Sequence, residues 1–161
     1  MKTSIIKKSS KGLILTLLFV ILAGTGSNVY AQKKKYTEKD MPAAVIMSFQ
    51  KNFPDATIRG YDKETEDEVT TYEVEATVGD IKKDIQFNAD GTVIEIEEAM
   101  NTSDLPEKVV TAINNKYSSP TILKSEKVTK GADLLYEVVI KVKSKKREVR
   151  LDKDGNILEV E

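Results

Sequence analysis

Tyr72, Val74, Ala76 and Val78 alternate with Glu73, Glu75 and Thr77. A period of two predicts a strand with one face buried and one face wet, the usual form in antiparallel sheets. The pattern returns at Tyr136, Val138, Ile140 and Val142, set against Glu137, Val139, Lys141 and Lys143. A following strand places Ile85 and Phe87, or Val149 and Leu151, on the inner side. Asn88-Ala89-Asp90-Gly91 and Asp152-Lys153-Asp154-Gly155 then read as hairpin turns, with glycine supplying the positive φ such turns require. The last strand of each set is expected to bury Ile94 and Ile96, or Leu158 and Val160. A weaker strand is expected near Thr57 to Lys63 and again near Thr121 to Val128.

Ahead of each set of strands the period changes to that of a helix. Val45, Ile46, Phe49 and Phe53 form one apolar stripe, and Val109, Val110, Ile113 and Tyr117 form another. Asp40 and Asp104 are candidate caps, with Pro42 and Pro106 in the opening turns, where a missing N–H costs nothing. Pro54 ends the first helix and Ser118-Ser119-Pro120 the second.

These two passages are one passage written twice. Residues 40–97 align without gaps on 104–161, and about 16 of the 58 pairs are identical. The predicted fold class is therefore α+β: two tandem repeats, each an N-terminal helix packed on one face of a four-stranded antiparallel sheet, joined by a linker at 98–103. A unit of this size buries only some 60% of its unfolded surface, and the chain has no cysteine to cross-link it. The two units are therefore expected to share a face or a sheet.

Residues 1–31 have the three zones of a secretory signal. Lys2, Lys7, Lys8 and Lys11 are basic, Leu13 to Ala23 is uncharged and apolar, and Val29-Tyr30-Ala31 offers small residues for cleavage. The apolar run is too short to span a bilayer as a helix, which takes about 20 residues. The expected product is exported to the periplasm or beyond, without stable membrane insertion, and begins with a disordered basic tail at 32–39. Its net charge is −5, from 21 basic and 26 acidic groups. The first repeat carries 5 basic and 14 acidic residues and the second 12 and 10. Export and an acidic first half argue against nucleic acid as a partner.

Histidine and cysteine are both absent. That removes the usual general base, the usual zinc ligands and the thiolate nucleophile. No phosphate-binding glycine loop is present either, so no catalytic residue and no cofactor is assigned. Asp152-Lys153-Asp154-Gly155-Asn156 resembles the start of a calcium loop but lacks its later ligands, and the repeat explains it as a turn. The acidic run Asp62, Glu64, Glu66, Asp67 and Glu68 could offer a weak divalent-cation site, but the matching stretch 126–132 carries lysines and a glycine instead, and a solvated, self-repelling loop is the favoured reading. Tyr61, Tyr72, Phe87, Tyr117 and Tyr136 are read as core with hydroxyls at the rim.

The predicted wet faces carry Glu73, Glu75, Lys82, Asp84 and Glu95 in the first repeat and Glu137, Val139, Lys141 and Arg150 in the second, with Gln86, Glu97, Glu148 and Glu159 beside them. A broad charged sheet suits docking of a protein or peptide, though any one-sided sheet is polar outside for solubility alone. Two functions remain open: a non-catalytic binding protein of the cell envelope, or a carrier of a small ligand or divalent cation.

The run from Leu105-Pro106-Glu107-Lys108-Val109-Val110 through Tyr136-Glu137-Val138 to Leu151-Asp152-Lys153-Asp154-Gly155-Asn156-Ile157-Leu158-Glu159 resembles the PepSY-like domains. So does the first repeat, through Phe87-Asn88-Ala89-Asp90-Gly91-Thr92-Val93-Ile94-Glu95. Such domains occur in tandem in secreted proteins of Bacteroides-type bacteria and are named for similarity to beta-lactamase inhibitory protein. The resemblance implies a periplasmic or secreted two-unit protein of inhibitor-like or binding character. That inhibitor grips its enzyme with the concave face of its combined sheet together with loops, but this chain has no disulfides and almost no aromatic residues on its predicted open faces, so no inhibitory residue can be assigned by position.

Overall fold

The computed structural model describes residues 35–161; the predicted signal lies outside the described residues. The element order is helix α1 (Ala43–Asn52), strands β1 (Thr57–Glu66), β2 (Val69–Val78), β3 (Ile81–Asn88) and β4 (Val93–Met100), helix α2 (Glu107–Lys116), then β5 (Thr121–Lys130), β6 (Asp133–Val142), β7 (Lys145–Asp152) and β8 (Ile157–Val160). All eight strands form a single antiparallel sheet in sequence order. Each of α2 and β5 to β8 starts 64 positions after its counterpart.

The sheet is continuous because β4 pairs with β5, from Ile96↔Thr129 to Met100↔Ser125. Glu98, Ala99 and Met100, expected in the linker, are therefore strand residues. Among the described residues the linker proper reduces to a turn over Thr102–Asp104. A second short 3-10 turn, Glu38–Asp40, overlaps the end of the segment expected to be a disordered tail and runs into the first repeat. Asp40 closes it by accepting from the Thr37 amide and hydroxyl at 2.9 and 2.8 Å. Asp40 and Asp104 thus close these preceding turns rather than capping α1 and α2, whose N-caps are Pro42 and Pro106.

Both helices lie on one face of the sheet. Val45 and Phe49 of α1 pack with Val74, Ala76, Ile85 and Phe87. Val109 and Ile113 of α2 pack with Tyr136, Val138, Ile140, Val149 and Leu151. Burying a side chain of this kind is worth about 1.5–3 kcal/mol, which is what fixes each helix over its own strands. Tyr72 and Tyr136 point to this face as expected.

The inner phase of the last strands differs from the expectation. Val93 and Ile96, and Ile157 and Val160, face the helices, while Leu158 is 49% exposed. The pairing slips beside Gln86/Phe87 and again beside Arg150/Leu151. A β-bulge places one extra residue in the strand, so the inward positions lie three apart instead of two. A similar slip beside Ile58/Gly60 and Ile122/Lys124 puts Arg59 and Leu123 at bulges. The acids Asp62, Glu64 and Glu66 belong to β1, and only Asp67 and Glu68 make the turn, both at positive φ.

Candidate functional site: the polar face of the sheet

Among the described residues no helix covers the other face, and the register sets its contents. Glu73, Gln86 and Glu95 form one row and Glu75, Asp84 and Glu97 the next, continued by Val128 on β5. In the second half Glu126, Glu137, Arg150 and Glu159 form a row. Val139 and Glu148 pair beside it, then Lys141 and Lys146. The nine residues singled out from the sequence therefore share one face, but they are not equally open. Lys82 and Lys141 are exposed, Glu73, Glu75, Asp84 and Val139 are half-buried, and Glu95, Glu137 and Arg150 are buried. The evenly solvated surface expected from the alternation is instead a polar relief with a buried centre.

Arg150 is that centre. It donates to Glu137 at 2.7 Å on the neighbouring strand, and its guanidinium also lies 3.0 Å from Glu95 and 3.4 Å from Glu97 on β4. In a flat sheet β4 and β7 would stand about 14 Å apart. Contacts across that span require the sheet to curl toward this face, which is therefore concave. The same curl buries Val128, an apolar side chain on the polar side.

Three more cations complete the network. Lys130 reaches Glu95 at 3.4 Å, Lys124 reaches Glu126 at 2.8 Å, and Arg59 holds Asp84 at 2.8 Å with Glu75 at 3.8 Å. Arg59 also donates from Nε to the Ala76 carbonyl at 3.1 Å.

Acids outnumber these bases, and the excess shows in their proton affinities. Burial pushes Glu97 up to about 10, helped by the charges of Glu137, Glu126 and Glu95 and opposed by Arg150. Burial also pushes Glu148 up to about 8, with Glu137 and Glu161 adding to it. Glu126 is raised by burial against the pull of Lys124. Burial works against the charge of Arg150, but its hydrogen bond to Glu137 and the charges of Glu95, Glu137 and Glu97 hold it above the ordinary arginine range. At neutral pH the face thus presents fixed ion pairs together with neutral carboxyls that can donate hydrogen bonds.

Among the described residues, the one set of carboxylates converging closely enough to surround a cation is Asp84, Glu97 and Glu126, with oxygens within 4.8 Å of one another. Each already has its own arginine or lysine partner. None of Asp62, Glu64, Glu66, Asp67 and Glu68 belongs to that set. Sequence reasoning missed Arg59, Lys124, Glu126 and Lys130. Glu126 carried a signal, since Asp62 stands at its counterpart position; the other three take their roles from bulges and from the β4–β5 seam. No helix among the described residues is long and apolar enough to cross a membrane.

Among the described residues the chain is thus one curled antiparallel sheet with two helices on its back and its polar face uncovered. The sequence matches the beta-lactamase-inhibitor-like, PepSY-like family over residues 24–79 and 70–159, and the chain belongs to that family. A DUF2874 family protein from Bacteroides uniformis is similar in structure, with a TM-score of 0.61, 17% identity, and 74% of this chain and 88% of that chain covered. A BLIP-like protein from Bacteroides fragilis gives 0.57 at 20% identity, covering 73% and 83%. A protein of Bacteroides eggerthii described as periplasmic gives 0.62 at 14%, covering 75% and 88%. No curated protein matches the chain.

Proposed function

We propose that this is an exported, non-catalytic binding protein of the periplasm, built from two PepSY-like units at 40–97 and 104–161, which grips a protein or peptide with the concave polar face of its joined sheet. The observation that carries this reading is the Arg150 network. A guanidinium with only 7% of its side chain exposed spans three strands of a face that no element among the described residues covers, so the floor is held rigid before anything binds. Preorganisation of that kind lowers the ordering cost of association, and charges fixed in place select a complementary surface. The family match and the predicted signal agree with export and with an inhibitor-like role, and the absence of histidine and cysteine agrees with a lack of catalysis.

The test uses residues at the rim of the face. Lys82→Glu combined with Lys141→Glu changes the charge pattern at two exposed positions without touching Arg150. The double variant is expected to keep the thermal melt of the parent and to lose retention of a partner that the immobilised parent retains from an envelope extract. Equal retention by both would refute the reading.

A further inference from the structure

The two copies agree beyond their helices and strands. The turn Glu38–Asp40 recurs as Thr102–Asp104, and Met41 and Leu105, at matching positions just after these turns, are both buried. Tyr61 of β1 donates to Glu38 Oε2 at 3.4 Å, and its counterpart Ser125 of β5 donates to the Met100 carbonyl at 3.1 Å. The chain therefore comes in to α1 along the side of β1 as it comes in to α2 along the side of β5.

What precedes the turn differs. Before Thr102 the chain is β4, whose residues Ile96 to Met100 pair with β5. β1, the counterpart of β5, is ten residues long and pairs only with β2 among the described residues. A long edge strand of this kind is a template for further pairing. The counterparts of 96–100 are residues 32–36. Of these, 32–34 lie outside the described residues, and Lys35 and Tyr36 belong to no regular element.

The β4–β5 register, carried back by 64 positions, sets Lys33 opposite Glu64, Lys35 opposite Asp62 and Tyr36 opposite Tyr61. Residues directly opposite on antiparallel strands share a face, and opposite charges there attract. Both lysine–carboxylate pairs fall on the polar face. The repeat does not dictate this match, because the seam has Glu97 opposite Val128 and Ala99 opposite Glu126. One pair is unfavourable, Lys34 against Lys63, whose ammonium stands 5.7 Å from the centre of the Tyr72 ring.

We propose that segment 32–36 adds to β1 as a ninth antiparallel strand in this register, so that the basic start of the exported chain covers its own acidic sheet edge. The edges of a second copy offer acids in place of those lysines: Asp62, Glu64 and Glu66 on β1, and Glu159 and Glu161 at and after β8. The pairing is independent of what the polar face binds and stands or falls without it.

Hydrogen exchange resolved by residue, on the chain from Gln32 to Glu161, tests the strand. Alternate amides of an edge strand point away from its neighbour. Within Tyr61 to Thr65 those outward amides are expected to be protected at low ionic strength, as their counterparts within Ser125 to Thr129 are. Lys33→Glu with Lys35→Glu should cut that protection by about tenfold while the amides of Val74 and Ile85 keep theirs. Adding Asp62→Lys with Glu64→Lys should restore it. Outward amides that exchange at unprotected rates in the parent, protection indifferent to the reversed lysines, or protection that grows with protein concentration, as pairing between copies would make it do, would each overturn the proposal.

Discussion

The backbone carbonyl of Lys108 occupies the place a side chain on Gly155 would need: a Cβ there would come within 2.5 Å of the Lys108 oxygen. Gly91 stands in the same relation to Ala44, also at 2.5 Å. Both glycines have φ near +84° or +83°, so the turn in each half is selected twice, by its backbone angle and by its seat against the first turn of a helix. In the second half Lys108 adds an ion pair to Asp154 at 2.7 Å.

Gly155→Ala and Gly91→Ala are therefore expected to destabilise by about 2–4 kcal/mol, combining left-handed strain with a backbone clash. Gly79 and Gly131 have φ of +60° but nothing within 4 Å of an added Cβ, so alanine there should cost only about 1–2 kcal/mol. Urea unfolding of the four variants checks the ranking. Equal losses at all four would remove the helix seat from the explanation.

Replacing Arg150 by methionine should cost about 3–5 kcal/mol, the usual penalty when one member of a buried ionic network is removed. The loss arises from Glu95 and Glu137, left without their shared cation in a buried position. Adding Glu137→Gln to that variant should recover part of the stability, because one stranded charge disappears. Denaturant midpoints of the single and double variants measure this coupling, and strict additivity would contradict it.

The helices, the strands and the sidedness of the sheet were legible because each rests on local periodicity: Val45 and Phe49, or Val74 and Ala76, announce their face through their nearest neighbours. The Asp90-Gly91 and Asp154-Gly155 turns were legible as turns, but their contact with Ala44 and Lys108 was not, since nothing local records what packs across a gap of 46 residues. The phase of β4 and β8 was misread at Ile94 and Leu158 because a bulge looks in sequence like ordinary alternation. The buried centre of the polar face was hidden for a related reason. Arg150 and Glu97 are individually unremarkable charges, and only the β4–β5 seam and the curl of the sheet bring them together.

Tyr117 replaces Phe53 at the matching position of the second half, and its hydroxyl is buried without a hydrogen-bond partner among the described residues. An unsatisfied buried polar atom costs about 1–3 kcal/mol. Tyr117→Phe should therefore leave stability unchanged or raise it by about 1 kcal/mol, unlike most core substitutions. A measurable loss in the unfolding midpoint would mean that the hydroxyl has a partner in solution.

Stability should peak at mildly acidic pH. Glu97, at about 10 in the folded protein, and Glu148, at about 8, bind protons more tightly than in the unfolded chain, where the ordinary value is 4.5. Wherever the folded state holds the extra proton, raising the pH favours unfolding. Their contribution is thus complete below about pH 4.5 and is lost as the pH climbs, through about 8 for Glu148 and about 10 for Glu97. Glu97 alone sets a limiting slope of about 1.4 kcal/mol per pH unit; Glu148, more open to solvent, adds less. Asp154 acts in the opposite direction. Its hydrogen bonds from Lys108 and Lys153 lower it to about 2, so what it contributes is present above pH 3.8 and disappears as the pH falls toward 2. Glu98 is lowered despite burial by its hydrogen bonds from Lys127 and Lys83 and weakens the fold in acid in the same sense. Thermal melts from pH 3 to 10 should therefore show a maximum between about pH 4 and 6, with a decline toward alkaline pH that flattens in Glu97→Gln. A melting temperature that rises steadily from pH 5 to 9 would show that these carboxyls are ionised in the folded protein.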